Sequence, residues 1–318
     1  MNVHLLIYPL LAISTVIVIS TFIRVVSSPA YRQNSDQVVI REPGNRTLGA
    51  PKDAAADARE DLEFALLSQA AYQRTADAMQ VEAGKSLDPD VTLTSMGWCR
   101  WEKFPEGDVK KKVDYVHLRV EVWSNSSSKK LAVAFGGTVL RNLKDWKSDL
   151  RWFIPNKQDE YTVIVKTFGD AFVDAYQKRT SGPECDVPRD VELFSTGHSL
   201  GGGLAQQFAY SLPRIAGVPR VKKVYAFDPS PVTGFYSVEK PLREHNSELL
   251  AIDRIYERGE ILAYFRSITN FIYPPNASQP TIRQLRYNLV HTHNPLASHS
   301  IAEFALRLRE VSQHKPVS

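Results

Sequence analysis

Residues 191–209 read VELFSTGHSLGGGLAQQFA. The stretch opens as a short apolar strand, and from Leu200 onward its apolar residues recur at helical spacing. Between the two, Gly197, Gly201, Gly202 and Gly203 crowd around Ser199, although the whole chain holds only 16 glycines. Strand, tight turn and helix are the context that a G-x-S-x-G nucleophile elbow requires, and GHSLG at 197–201 supplies the motif. At such an elbow the serine is held in a strained backbone conformation. Gly197 and Gly201 remove side chains that would clash there, and Gly202 and Gly203 are expected to let the helix start lie close to the sheet. The helix N-terminus then aims its free N–H groups and dipole at the reacting oxygen. A glycine-rich turn with a passive serine is the competing reading, and the matched strand and helix on either side argue against it.

A serine hydroxyl is a weak nucleophile until a base takes its proton. On an elbow of this type the partners follow in the order serine, acid, histidine. His291, His293 and His299 all follow Ser199. His299 stands immediately before the last amphipathic segment, SIAEFALRLREV (300–311), where an imidazole can be presented from the end of a packed element. His291 and His293 sit in HTHN, read as solvated loop, and no third ligand nearby makes them a metal site. Two acids end strands. Glu260 closes RIYERGE and Asp228 closes VYAFD, whereas Asp253 begins its strand, at the wrong end. For an oxyanion, the backbone N–H of Leu200 is one donor, and Thr138 at the end of FGGT (135–138) is the candidate for the other.

Working outward, LAVAFGGT (131–138), VELFST (191–196), VKKVYAFD (221–228) and AIDRIYERGE (251–260) read as strands, and VDYVHLRVEVWS (113–124) as an alternating, half-buried one. DAREDLEFALLSQAAYQRTADA (57–78), the second half of 163–178, residues 200–212 and residues 300–311 read as helices. Strands alternating with helices predict an α/β domain with a mostly parallel sheet covered on both faces. One domain spans 57–312, preceded by a polar linker at 27–56 and followed by a short tail at 313–318. Residues 81–112 carry no clear pattern.

The first 26 residues differ from the rest. LLIYPLLAISTVIVISTFI (5–23) has no charged side chain and is long enough to cross a bilayer as a helix. It reads as a single-pass membrane anchor. A cleaved signal sequence, giving a secreted or periplasmic protein, is the rival. Arg24, Arg32 and Arg41 follow the span and none precedes it, which favours a cytoplasmic domain, whereas an export signal implies the opposite side. The net charge of +4 over 318 residues is too small to argue for nucleic acid. Cys99 and Cys185 lack metal-ligand spacing and stand either as a disulfide or as two buried thiols. N-x-S/T sequons at Asn45, Asn125 and Asn276 matter only on a eukaryotic secretory route. Nothing in the sequence specifies an oligomeric state.

Taken together these residues resemble the class 3, fungal-type lipases of the α/β-hydrolase fold, over about residues 57–312. LLSQAAY (66–72) resembles the family's opening helix, LAVAFGGT the strand that usually ends F-R-G-T/S, and RNLKDWKSDLRWFIP (141–155) the lid segment. GHSLGGGLA (197–205) resembles the elbow, RIYERGEIL (254–262) the strand bearing the acid, and HSIAEFAL the histidine segment. The resemblance implies Ser199 as nucleophile, His299 as base and Glu260 as acid. Thr138 and Leu200 would line the oxyanion hole, and no metal or organic cofactor is implied. Two positions depart from the family: Gly136 replaces an arginine, and Glu260 an aspartate. Asp228, in FDPSPVTG, resembles the acid of the pancreatic-type lipases and stays as the alternative.

In the lid-like segment Trp146, Leu150, Trp152, Phe153 and Ile154 alternate with charges. They suit either a flap that lies on lipid when open or ordinary core packing. The expected activity is serine hydrolysis of a lipid ester, as a lipase or phospholipase working through an acyl-enzyme. An inactive hydrolase fold tethered to a membrane as a binding or scaffold module is the alternative, and a phospholipase delivered to another cell is a third.

Overall fold

A computed structural model of the protein describes residues 38–72 apart from 46 and 48, then 87–137, 160–181, 187–260, 262, 280–290 and 297–313. The apolar span at 5–23, Thr138, the lid-like segment 141–155, Cys185, His291, His293 and Asn276 lie outside the described residues. Among the described residues no helix is long and apolar enough to cross a membrane.

Among the described residues eight strands form one sheet: β1 (Val38–Arg41), β2 (Cys99–Arg100), β3 (Arg119–Asn125), β4 (Lys130–Gly136), β5 (Glu192–His198), β6 (Val221–Phe227), β7 (Ala251–Glu257) and β8 (Thr281–Tyr287). Their order across the sheet is β1-β8-β7-β6-β5-β4-β3-β2. Strands β4 to β8 pair in parallel. The outer pairs β1/β8, β3/β4 and β2/β3 are antiparallel. Parallel neighbours cannot be joined by a tight turn, so helices fill the crossovers and cover the faces.

Alternation along the strands sorts the core into two halves. On one face Leu131, Val133 and Phe135 of β4 meet Phe168, Phe172 and Phe208. Phe168 and Phe172 come from a continuous helical run of α4 (Glu160–Val163), a π-helical turn at Ile164–Phe168 and α5 (Gly169–Ser181), and Phe208 comes from α6 (Leu200–Ser211); earlier in the chain α1 is Ala54–Ala70, α2 Pro89–Ser95 and α3 Gly107–Tyr115. On the other face Ala132 and Ala134 meet Phe64 of α1 and Phe304 of the last helix. Each fully buried phenylalanine contributes roughly 2–3 kcal/mol over an exposed one. Helix α7 is Lys240–Ser247 and α8 is Ile301–Gln313, the latter packed along α1.

The structure departs from the sequence reading in several places. Residues 113–115 belong to α3, and β3 begins only at Arg119. The Lys110–Asp114 pair, at i and i+4, supports that helix, and His117 at φ 55° then turns the chain into the strand. The run 163–178 is helical throughout, not only in its second half. Within the stretch read as linker, Val38, Val39 and Ile40 form an edge strand on β8 and are buried. Strand β8 itself, TIRQLRY, has too many polar residues to be recognised as buried strand. Its Arg283 is accommodated because Asp253 holds it through two hydrogen bonds, at 3.0 and 2.6 Å. Cys99 is a free, exposed thiol rather than a buried one. The Asn125 sequon is closed to modification: the residue is 2% exposed, and its amide donates to the Met96 carbonyl at 2.9 Å.

Because β5, β6 and β7 run parallel, their carboxyl ends meet along one edge of the sheet. The segments after those ends carry Ser199, Asp228 and Glu260 respectively. This is the edge where open α/β sheets present reactive groups.

Candidate active site

Ser199 occupies the junction of β5 and α6 at φ 59°, ψ −123°. A non-glycine residue rarely adopts such a conformation, and it persists only where surrounding contacts over-determine it. Three backbone bonds do so here. Ser199 N–H donates to the Phe227 carbonyl at 2.9 Å, and the Ser199 carbonyl accepts from Ser230 N–H at 2.9 Å and Gly202 N–H at 3.1 Å. The serine stands at the N-cap of α6, yet its side chain makes no capping hydrogen bond. Strand β4 passes so close that a Cβ on Gly201 would lie 2.1 Å from the Phe135 carbonyl oxygen, and one on Gly197 would strike Gly201. Gly202 does lie close to the sheet, since a Cβ there would stand 3.1 Å from the Gly197 carbonyl oxygen of β5, but Gly202 and Gly203 both face mainly the segment after β6. They make room for Pro229 and Val232 in the segment after β6.

His299 closes a short 3-10 turn, Ala297–His299, just ahead of α8. Its Nδ1 lies 2.9 Å from Glu260 Oε2, with both residues buried. The same oxygen accepts from Leu262 N–H at 2.7 Å. An acceptor at Nδ1 keeps the proton on that nitrogen and makes Nε2 the basic one. The His299 ring packs against His198, the residue before the serine, with centroids 4.5 Å apart.

Asp228 is also buried at this edge, at φ 39°. One of its oxygens accepts from Glu257 N–H at 2.9 Å, and a carboxylate oxygen lies within 4.8 Å of a nitrogen of both His198 and His299. Both acids expected from the sequence therefore come to the histidine, and Glu260 is the one bonded to Nδ1. Glu257 is a third buried acid. Its two oxygens accept from Leu289 N–H at 3.1 and 3.2 Å, tying the end of β7 to the segment after β8. Burial, aided by the Asp228 charge and opposed by the backbone N–H groups, pushes its carboxyl up to about 8. Asp253 lies in the first half of β7, paired with Lys223 and Arg283, where it serves the sheet and not the site.

Gly137, the last described residue before Thr138, lies against the elbow. A Cβ there would meet the His198 carbonyl oxygen at 2.6 Å and the Leu200 nitrogen at 3.1 Å. The strand β4 exit thus reaches the Leu200 amide.

Two residues that the sequence reading passed over hold this approach. Arg119 Nη1 donates to the Gly137 carbonyl at 3.1 Å, and its guanidinium sits 5.9 Å from the Tyr72 ring centroid. Tyr72 Oη lies 3.0 Å from His198 Nδ1 and donates to the His198 carbonyl at 3.1 Å. Arg119 is paired across the strands with Gly136, the position where the family resemblance calls for arginine. A Cβ on Gly136 would stand 2.9 Å from that of Arg119. The guanidinium near the strand exit thus comes from the neighbouring strand. Only the β3/β4 register reveals this, and no sequence signal near FGGT points to it.

No family model matches the chain, and no curated protein does. Solved structures do resemble it. Against the Rhizomucor miehei lipase propeptide complex the identity is 16%, with 71% of this chain and 65% of that one covered at a TM-score of 0.42. A lipase from Rhizopus microsporus var. chinensis gives 15% identity, 74% of each chain and a TM-score of 0.46. Lipase II from Rhizopus niveus gives 14%, 73% of this chain, 79% of that one and 0.42. All three of these solved structures are lipases.

Proposed function

We propose that the protein is a serine carboxylic-ester hydrolase that acts on lipid esters through an acyl-enzyme. The observation that carries the reading is the buried His299–Glu260 hydrogen bond of 2.9 Å beside a serine in a strained elbow. In this reading Ser199 Oγ attacks the ester carbonyl while His299 Nε2 takes its proton. Glu260 stabilises the imidazolium that forms and holds the ring in the required tautomer. The Leu200 N–H, with Thr138 as second donor, receives the charge that develops on the carbonyl oxygen. His299 next protonates the leaving alcohol, and a water activated by the same imidazole releases the acid and restores Ser199.

The lipid character of the substrate rests on two segments outside the described residues. The apolar span at 5–23 is suited to hold the domain at a membrane, and the aromatic-rich segment 141–155 is suited to lie on lipid. An acylglycerol or phospholipid presented at an interface is the substrate class these segments fit. Both departures that favoured an inactive scaffold have local counterparts: Glu260 reaches Nδ1, and Arg119 stands opposite Gly136.

A fluorophosphonate probe tests the chemistry, since it labels only an activated serine. Labelling that vanishes in Ser199→Ala supports the reading, and absence of labelling under conditions where the protein is folded overturns it. Hydrolysis of short- and long-chain esters and of phospholipids, with and without an interface, then identifies the substrate.

A further inference from the structure

We propose that His198, Asp228 and His299 form a binding site for a divalent transition-metal ion, zinc in particular, and that an ion bound there takes His299 out of proton transfer. One ligand atom from each residue lies within 4.8 Å of the others. All three side chains are enclosed, at 4%, 2% and 6% exposure respectively. Zinc–nitrogen bonds of about 2.0–2.1 Å in a tetrahedron set ligand atoms roughly 3.3–3.4 Å apart. Rotations that shift each atom by about an ångström therefore close the cluster around one ion.

The donor set matches the chemistry. Two imidazoles and one carboxylate are the ligands of open zinc sites, which keep a fourth position for water. The surroundings match as well. Ligating imidazoles are held by a partner on their other nitrogen. Here Nδ1 of His299 faces the Glu260 carboxylate at 2.9 Å, and Nδ1 of His198 faces Tyr72 Oη at 3.0 Å. That arrangement assigns Nε2 of each ring to the ion. Asp228 is oriented in turn by Glu257 N–H. Ester hydrolysis by Ser199, His299 and Glu260 gives His198 and Asp228 no step to perform. A shared cation explains why a second imidazole and a second buried carboxylate converge on His299.

Binding rests on ligand geometry alone, whereas its effect on turnover rests on the hydrolase reading. The full chain, stripped of metal by a chelator and dialysed, is titrated with Co2+ and then Zn2+. One equivalent of Co2+ with the visible absorption of a tetrahedral site, displaced by Zn2+, is expected. X-ray absorption of the zinc-loaded, unsubstituted protein should show two imidazoles in the ligand shell. His198→Gln and Asp228→Asn should each weaken binding about tenfold or more. Zn2+ should suppress ester hydrolysis, and a chelator should restore it. Absence of saturable binding, fewer than two imidazoles on zinc, or undiminished affinity in either folded variant overturns the site. Binding without any hydrolysis keeps the site and removes the hydrolase reading; hydrolysis without binding does the reverse.

Discussion

Glu260 and His299, 39 residues apart in the chain, meet through a 2.9 Å hydrogen bond in the interior. Removing the negative charge while keeping the shape isolates what it does. Glu260→Gln should lower kcat by about 10³–10⁴-fold with little change in KM, because the imidazole loses its tautomer and its counter-charge. Asp228→Asn, in metal-free buffer, should cost roughly tenfold or less, since Nδ1 keeps its carboxylate. Steady-state kinetics on one soluble ester decides between them, and the opposite ranking would make Asp228 the acid.

Ser199→Ala should abolish hydrolysis, by about 10⁵–10⁶-fold in kcat. The fold should remain, because the bonds that hold position 199 are made by its backbone. Circular dichroism and a thermal melt, run beside the activity assay, check both halves.

Gly201→Ala should destabilise the domain by about 3 kcal/mol or more. The new methyl would stand 2.1 Å from the Phe135 carbonyl oxygen, a backbone atom that cannot move without shifting β4. Urea unfolding would reveal it, and a variant of unchanged midpoint would show that the close approach is not real.

Arg119→Met keeps much of the aliphatic stem and removes the donor to the Gly137 carbonyl. As Arg119 positions the strand exit and does not touch the reacting atoms, kcat should fall roughly tenfold, the worth of one charged hydrogen bond of about 1.5 kcal/mol. KM and the melting temperature should move little. Arg119→Lys should restore part of the loss, which a purely structural role would not produce.

Glu257 gives stability a pH dependence of known sign. Its carboxyl is raised from an ordinary 4.5 to about 8 in the folded protein. Between those values the folded state holds a proton that the unfolded state has lost, so stability falls as pH rises, by at most about 1.4 kcal/mol per pH unit. Below that window the stability carried by the protonated carboxyl is fully present and no longer varies with pH. Glu257→Gln should therefore flatten the decline between pH 5 and about 8. Denaturant midpoints taken across this range for both proteins test it, and parallel curves would remove the claim.

Local signals were sufficient for the elements that lie near one another in the chain. The β5–turn–α6 unit around GHSLG was legible because a serine at φ 59° needs glycine neighbours, a requirement written in five consecutive residues. Strand β4 was legible as an apolar run, since a strand buried on both faces needs little polarity, and β5 to β7 were legible from shorter apolar stretches within them. Strands β1 and β8 were not. The first is only four residues long, and the second carries arginines whose burial is compensated by acids far away in sequence.

Which carboxylate reaches His299, which residue braces Gly137, and the gathering of His198, Asp228 and His299 in one place are matters of another kind. They follow from strand order and register, which bring residues distant in the chain within a few ångströms. A sequence pattern records spacing along the backbone. The contacts across this sheet edge are made through space, at separations of up to 126 residues for Tyr72 and His198, so they emerge only when the chain is folded.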